Sequence, residues 1–196
     1  MTQRWWYLRR GVAWQPVLGC CVAAVAAAGV LSRWPTTALL VLPALLACCA
    51  AGSAFVFDEQ ASSVVAVTPR GTTWRRTARL AVATVPLAVW AVVVAVRPGD
   101  LPLVRSGWWL AGVATIALAA GAAAVSSRRE VAAPGALLAA VLVLVVIGPG
   151  VAAGFLDLAS PYPIVGFTDE IRRFWLAVAA VAALTCAVAL RPGLRR

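Results

Sequence analysis

The sequence predicts an all-α polytopic membrane protein with six transmembrane helices. It also predicts an N-terminal interfacial helix and a short cytoplasmic helix between spans 2 and 3. Three observations lead there. The 196 residues are 63% hydrophobic, with a mean hydropathy of +0.92, well above that of a soluble domain. Six separate apolar stretches each approach the roughly 20 residues that cross a bilayer as a helix. None carries an Asp, Glu, Arg, Lys or His in its central part. Six spans use most of residues 1–196, so the chain reads as a single transmembrane domain, with no room for a nucleotide-binding or catalytic globular module.

The elements follow in order. Thr2 to Arg10, TQRWWYLRR, combines Arg with Trp5, Trp6 and Tyr7. That composition suits a helix at headgroup level over Gln3 to Arg10, rings in the interface and charges in water. Span 1 follows at about 12–31. Ala26-Ala27-Ala28 resembles a signal-peptide cleavage site, but the stretch is longer than a typical signal core. The turn Ser32 to Thr36 leads to span 2, about 37–57. Asp58 to Arg79 is the longest polar connection, and span 3 runs about 80–96, with Pro86 inside. The turn formers of Arg97 to Gly107 precede span 4, about 108–125. The SSRRE turn, Ser126 to Glu130, leads to span 5, about 136–155. A connection over Asp157 to Arg173 leads to span 6, about 174–190.

Charge sets the expected orientation. All 17 basic residues are Arg. In a six-span arrangement twelve fall on the side of the chain ends and five on the other. The positive-inside rule then places both termini in the cytoplasm. The net charge of +10 is thereby explained by the membrane, and no nucleic-acid partner is expected. The Arg-only, Ala-, Val-, Gly- and Pro-rich composition suggests a high-GC bacterium and its cell membrane.

Catalytic chemistry finds no footing. There is no His and no mid-span carboxylate to assemble a nucleophile beside a base. There is no Lys for a P-loop. Cys20, Cys21, Cys48, Cys49 and Cys186 all lie in apolar stretches and read as small, lipid-compatible residues. The chain is therefore expected to be no enzyme and to hold no metal or cofactor of its own. Gly112 and Gly121 in span 4, and Gly19 and Gly29 in span 1, suit close helix approach in lipid. Gly148-Pro149-Gly150 in span 5 predicts a kink or break, because Pro removes a backbone donor and Gly loosens the turn. Such a break would stand on a substrate path. In the connection before span 6, Pro161-Tyr162-Pro163 forms a stiff turn, and Ile164, Val165 and Phe167 are apolar. Thr168 is placed to cap a helix through Asp169, Glu170, Arg172 and Arg173.

The stretch Ala54 to Leu80, AFVFDEQASSVVAVTPRGTTWRRTARL, reads as a surface helix between two spans. Asp58 is a good N-cap, and Glu59 suits the positive end of the helix dipole. Ala61, Val64, Val65 and Val67 give a short apolar face, and Pro69 and Gly71 stop the helix. The F-x-F-D-E start at Phe55 to Glu59 and the T-P-R…W-R-R-x-x-R end at Thr68 to Arg79 resemble the membrane subunits of ABC-type exporters, in particular the six-helix type-2 class. Topology resembles that family over the whole chain, local sequence only over this stretch. The resemblance implies that Asp58, Glu59, Ala61, Val64, Val65 and Val67 dock on a separate ABC ATPase subunit, which binds the ATP. It further implies a second permease subunit, the same or a different chain, completing the translocation path. The external loops are compact for that family. A non-transporting membrane partner that anchors or regulates another complex is the alternative reading. A gradient-driven transporter is disfavoured, because coupling groups inside membranes are usually ionisable.

Overall fold

The computed structural model describes residues 8–58, 72–96, 104–127, 134–156, 160–164 and 166–191, with backbone alone for 72–76 and 134. Six helices are long and apolar enough to cross a membrane: Trp14–Arg33, Pro35–Phe57, Thr77–Val96, Arg105–Ser126, Gly135–Leu156 and Asp169–Leu190. They are spans 1 to 6 below. No strand occurs among the described residues. That outcome is what lipid imposes, since a helix satisfies its backbone polar groups within one segment.

Span 1 starts at Trp14, whose indole Nε1 donates to the Leu8 carbonyl at 2.8 Å and ties the span to residues 8–11, which are helical. The rest of the expected interfacial helix, Gln3 to Tyr7, lies outside the described residues. Span 2 opens and closes on short 3-10 turns, Pro35–Thr37 and Phe55–Phe57. Span 3 is two helices, Thr72–Val82 and Thr84–Val96, joined at Ala83. Pro86 has no N–H for the Val82 carbonyl, and the Ala83 N–H turns back to Leu80 at 3.1 Å instead. The first of these helices begins eight residues before the expected start at Leu80, so Trp74, Arg75 and Arg76 belong to it.

Span 6 begins at Asp169, earlier than the expected Phe174. Thr168 Oγ1 accepts from the Ile171 N–H at 3.4 Å, with Asp169 and Glu170 in the first turn. The helix that Thr168 was expected to cap, through Asp169, Glu170, Arg172 and Arg173 into span 6, is the start of span 6 itself.

Consecutive spans alternate in direction. Gly11, Phe57, Arg79, Gly135 and Ala189 fall at one end of the bundle, with the first and last described residues; it is called the terminal end below. Trp34, Val96, Arg105 and Thr168 fall at the other, the far end. Span 2 is the central post and packs on spans 1, 3, 4 and 5, while span 6 packs mainly on span 4. Reporter fusions at Arg10 and at Arg196 are therefore expected on the same side of the membrane. Fusions reporting opposite sides would contradict six alternating spans.

The buried residues form three groups. The largest fills the far half and includes Leu45, Leu46, Trp90, Trp108 and Trp175. A second closes the terminal end around Val17, Val56, Phe57 and Ala123. The smallest lies where span 5 meets spans 2 and 4, with Ala50, Ala54, Ala119 and Leu142, and Leu138 against them.

With no hydrophobic drive between helices in lipid, small residues set these contacts. A Cβ on Gly121 would lie 2.5 Å from Thr185 Oγ1, so spans 4 and 6 meet there backbone to side chain. Gly112 receives the Trp90 indole of span 3. Gly19 and Gly29 have nothing within 4 Å of a Cβ and face outward, so they take no part in packing.

Candidate functional site

At the terminal end the chain buries a charge. Arg79 is 5% exposed. Its Nη1 donates to the Phe57 carbonyl at 3.1 Å and its Nη2 to the Gly11 carbonyl at 3.3 Å. Both carbonyls stand at helix C-termini, where the last carbonyls lack intrahelical partners and the dipole favours a cation. The fork of the guanidinium lets one side chain serve two chain segments.

Asp58, next to Phe57, complements this. Its Oδ1 accepts from the Gly135 N–H at 2.8 Å, at the start of span 5. That helix opens on Pro134 and Gly135, after Val131, Ala132 and Ala133, with no Ser, Thr, Asp or Asn to cap it. The cap comes instead from a residue 77 positions away. A carboxylate is favoured at a helix N-terminus by the dipole and the orphan N–H groups. A Cβ on Gly135 would lie 2.5 Å from Asp58 Oδ2, so only glycine admits this approach. Partial burial pushes the Asp58 carboxyl above its ordinary value, while the Gly135 hydrogen bond and the nearby Arg79 pull it down. Residues from before span 1, the end of span 2, the start of span 3 and the start of span 5 thus meet in one polar cluster.

The far end is held by aromatic rings. Trp90, Trp108, Tyr162 and Trp175 form a chain with successive centroids 5.8 Å apart, and Trp108 and Tyr162 stack at 6°. Trp90 Nε1 donates to the Trp108 carbonyl at 3.2 Å, and Trp175 Nε1 to the Pro161 carbonyl at 2.8 Å. Trp108 Nε1 is buried without a hydrogen-bond partner, which costs on the order of 1–3 kcal/mol. Pro163 is fully buried and sits against Gly107, where a Cβ would come within 2.7 Å of it.

Tyr162 joins this cluster to span 5. Its hydroxyl donates to the Val146 carbonyl. Val146 stands ten residues before Leu156, the last residue of the helix, which is about 15 Å of helix. The connection between spans 5 and 6 therefore dips well below the far end of span 5. Pro149 sits inside the same turn. It lacks the N–H that would pair Val145, and its ring loosens the carbonyls beside it. The Tyr162 hydroxyl bonds the next carbonyl along, that of Val146. Span 5 stays helical through Gly148-Pro149-Gly150, from Pro134 to Leu156. Of the kink or break expected there, the break is absent: Pro149 removes a single backbone donor, and the helix runs on through it. Gly150 faces Tyr162 and Pro43, at 3.6 and 3.8 Å from a Cβ. Two motifs that look unrelated in sequence, Gly148-Pro149-Gly150 and Pro161-Tyr162-Pro163, meet here. Tyr162→Phe is expected to cost about 0.5–1.5 kcal/mol, the net worth of one hydrogen bond, read as a lower unfolding midpoint in detergent. A midpoint equal to wild type would remove this link.

Of the residues expected to dock a partner, Asp58 turns its carboxylate into the bundle to cap span 5; the helix it was expected to cap lies outside the described residues. Glu59, Ala61, Val64, Val65 and Val67 lie outside the described residues. Arg79 and Gly135 escaped the sequence reading as site residues. The missing capping side chain before span 5 was the available signal for Gly135. For Arg79 it was its place directly against the apolar run from Leu80. Cys20 and Cys21 of span 1 lie beside Cys48 and Cys49 of span 2, and all are free. No group of three His, Cys, Asp or Glu among the described residues is placed to hold a metal ion. Comparison with protein-family models, with curated proteins and with solved structures gives no match.

Proposed function

We propose that this chain is a permease subunit of an ABC-type exporter in a bacterial cell membrane, with both termini cytoplasmic. Two such subunits, identical or different, form the membrane path, and a separate ATPase subunit drives it. The observation that carries this reading is the cluster at the terminal end. The segment 59–71 begins directly after Asp58, and the helix that follows it carries Arg79. Asp58 and Arg79 bind residues from before span 1, from span 2 and from span 5. Force applied to that segment would therefore reach several spans through the hydrogen bonds of Asp58 and Arg79 and the attraction between the two.

The spans themselves support the same division of labour. Their buried polar side chains away from the ends, Ser53 and Thr115, bond carbonyls of their own helices at 3.2 and 2.8 Å. Intramembrane proton relays are built from ionisable groups, and the central parts of these spans carry none. Energy would then enter from outside the membrane domain.

The test uses vesicles holding this chain with a partner ATPase. Transport is expected to survive collapse of the proton gradient by a protonophore and to stop when ATP hydrolysis is blocked. Transport by the purified chain alone, driven by a pH gradient, would overturn the reading.

A further inference from the structure

We infer that span 5 is a hinged arm: its terminal half swings away from spans 2 and 4 about Gly148-Pro149-Gly150 and is latched shut by Asp58. The inference deepens the proposed function, in which force enters at residues 59–71 beside that latch.

Four observations combine. First, span 5 has described polar ties at two points on its length. Gly135 N donates to Asp58 at 2.8 Å, and the Val146 carbonyl accepts from Tyr162. Second, the upper point is fixed. Tyr162 is 3% exposed, stacks on Trp108, and lies with Pro43 of span 2 against Gly150. Third, Pro149 stands at that point, with one backbone hydrogen bond missing and glycines on both sides. Gly148 has nothing within 4 Å of a Cβ, so a bend there meets no obstacle on that side. Sharp helix bends occur at such residues. Fourth, the terminal half rests on the smallest of the three buried groups, two leucines against Ala50, Ala54 and Ala119. Its opposite face is exposed, with Leu137 at 73% and Leu144 at 72%. The swing would part it from span 2 and from the Phe55–Phe57 turn, which it also touches, along a single buried stripe of Ala139 and Leu142. Span 2, the central post, stays in place.

The lever is short enough to estimate. From Leu137 to Pro149 is twelve residues, about 18 Å of helix. A bend of roughly 20°, the lower bound of a sharp kink, would displace Leu137 by about 6 Å.

The experiment measures distances between paired spin labels in the full chain, with all five native cysteines replaced, in lipid nanodiscs. One pair, Leu137→Cys with Leu184→Cys, reports the terminal halves of spans 5 and 6. The other, Phe155→Cys with Leu176→Cys, reports their far halves. All four positions are at least half exposed. With Asp58 intact, both pairs should give one narrow distance. Asp58→Ala should add a second population at the terminal pair, shifted by about 6 Å, and leave the far pair unchanged. Adding Pro149→Ala, which restores the missing backbone donor, should abolish the second population. Gly135→Ala releases the latch from the other partner, because its Cβ displaces the carboxylate. It should reproduce the effect of Asp58→Ala, and it stands in should that variant fail to fold. An unchanged terminal pair in a folded latch variant overturns the inference. So does an equal shift in both pairs, which would mean that the span moves whole. No ATPase, ATP or cargo enters the measurement, so failure of the exporter reading leaves its outcome unaffected.

Discussion

Replacing Arg79 with Leu is expected to destabilise the bundle by about 3–6 kcal/mol, two hydrogen bonds from a charged group at roughly 1.5–3 kcal/mol each. The loss has two sources. The carbonyls of Gly11 and Phe57 lose donors at 3.3 and 3.1 Å in a region sealed by Val12, Val56 and Phe57, each 3% exposed or less. Asp58 also loses the positive charge that favours its ionised form. Leu adds apolar contact, yet it supplies no donor to either carbonyl. Arg79→Lys should fall between, because a single ammonium keeps the charge but lacks the fork that spans two segments. Arg173→Leu, at an exposed position in the second turn of span 6, should change stability by no more than about 0.5 kcal/mol. Unfolding midpoints in detergent and steady-state membrane abundance would read all three. A midpoint for Arg79→Leu within error of the Arg173 control would mean that the cluster does not hold the spans together.

The six spans were visible in the sequence because the signal is crude and strong: apolar length bounded by Arg and turn formers. Their boundaries shift only where capping or breaking chemistry intervenes. Span 6 starts early because Thr168, Asp169 and Glu170 make a good helix start even at the membrane edge. Span 3 divides at Ala83 because Pro86 cannot donate to Val82. Which faces pack was not visible. The spans are apolar on all sides, so no stripe marks a core face. Gly112 and Gly121 lie in contacts, while Gly19 and Gly29 face outward, though all four look alike in the sequence.

The polar anchors were harder still. Arg79 is one of twelve Arg assigned to a single side, and only its place directly against the apolar run from Leu80 hinted at burial. Asp58 reads locally as a cap for the helix after it. Its carboxylate lies at Gly135, a pairing 77 residues apart that no local pattern encodes. The Gly148-Pro149-Gly150 motif led to a kink or break because propensity counts the donor that Pro removes, yet one missing bond does not end a helix of 23 residues.

The central claim is that the chain receives its energy through the segment between spans 2 and 3. The direct measurement is co-purification and stimulation of the ATPase by the Val64→Asp/Val65→Asp variant. These residues sit on the apolar face that the sequence gives the segment, and a helix binding a groove does so through such a face. Two carboxylates there must be desolvated on contact, at a cost of several kcal/mol, and each 1.4 kcal/mol is tenfold in affinity. The account predicts at least a hundredfold loss of binding, loss of ATPase stimulation, and wild-type membrane abundance, since the spans are untouched. A double variant that binds and stimulates the ATPase as the wild type does would contradict it.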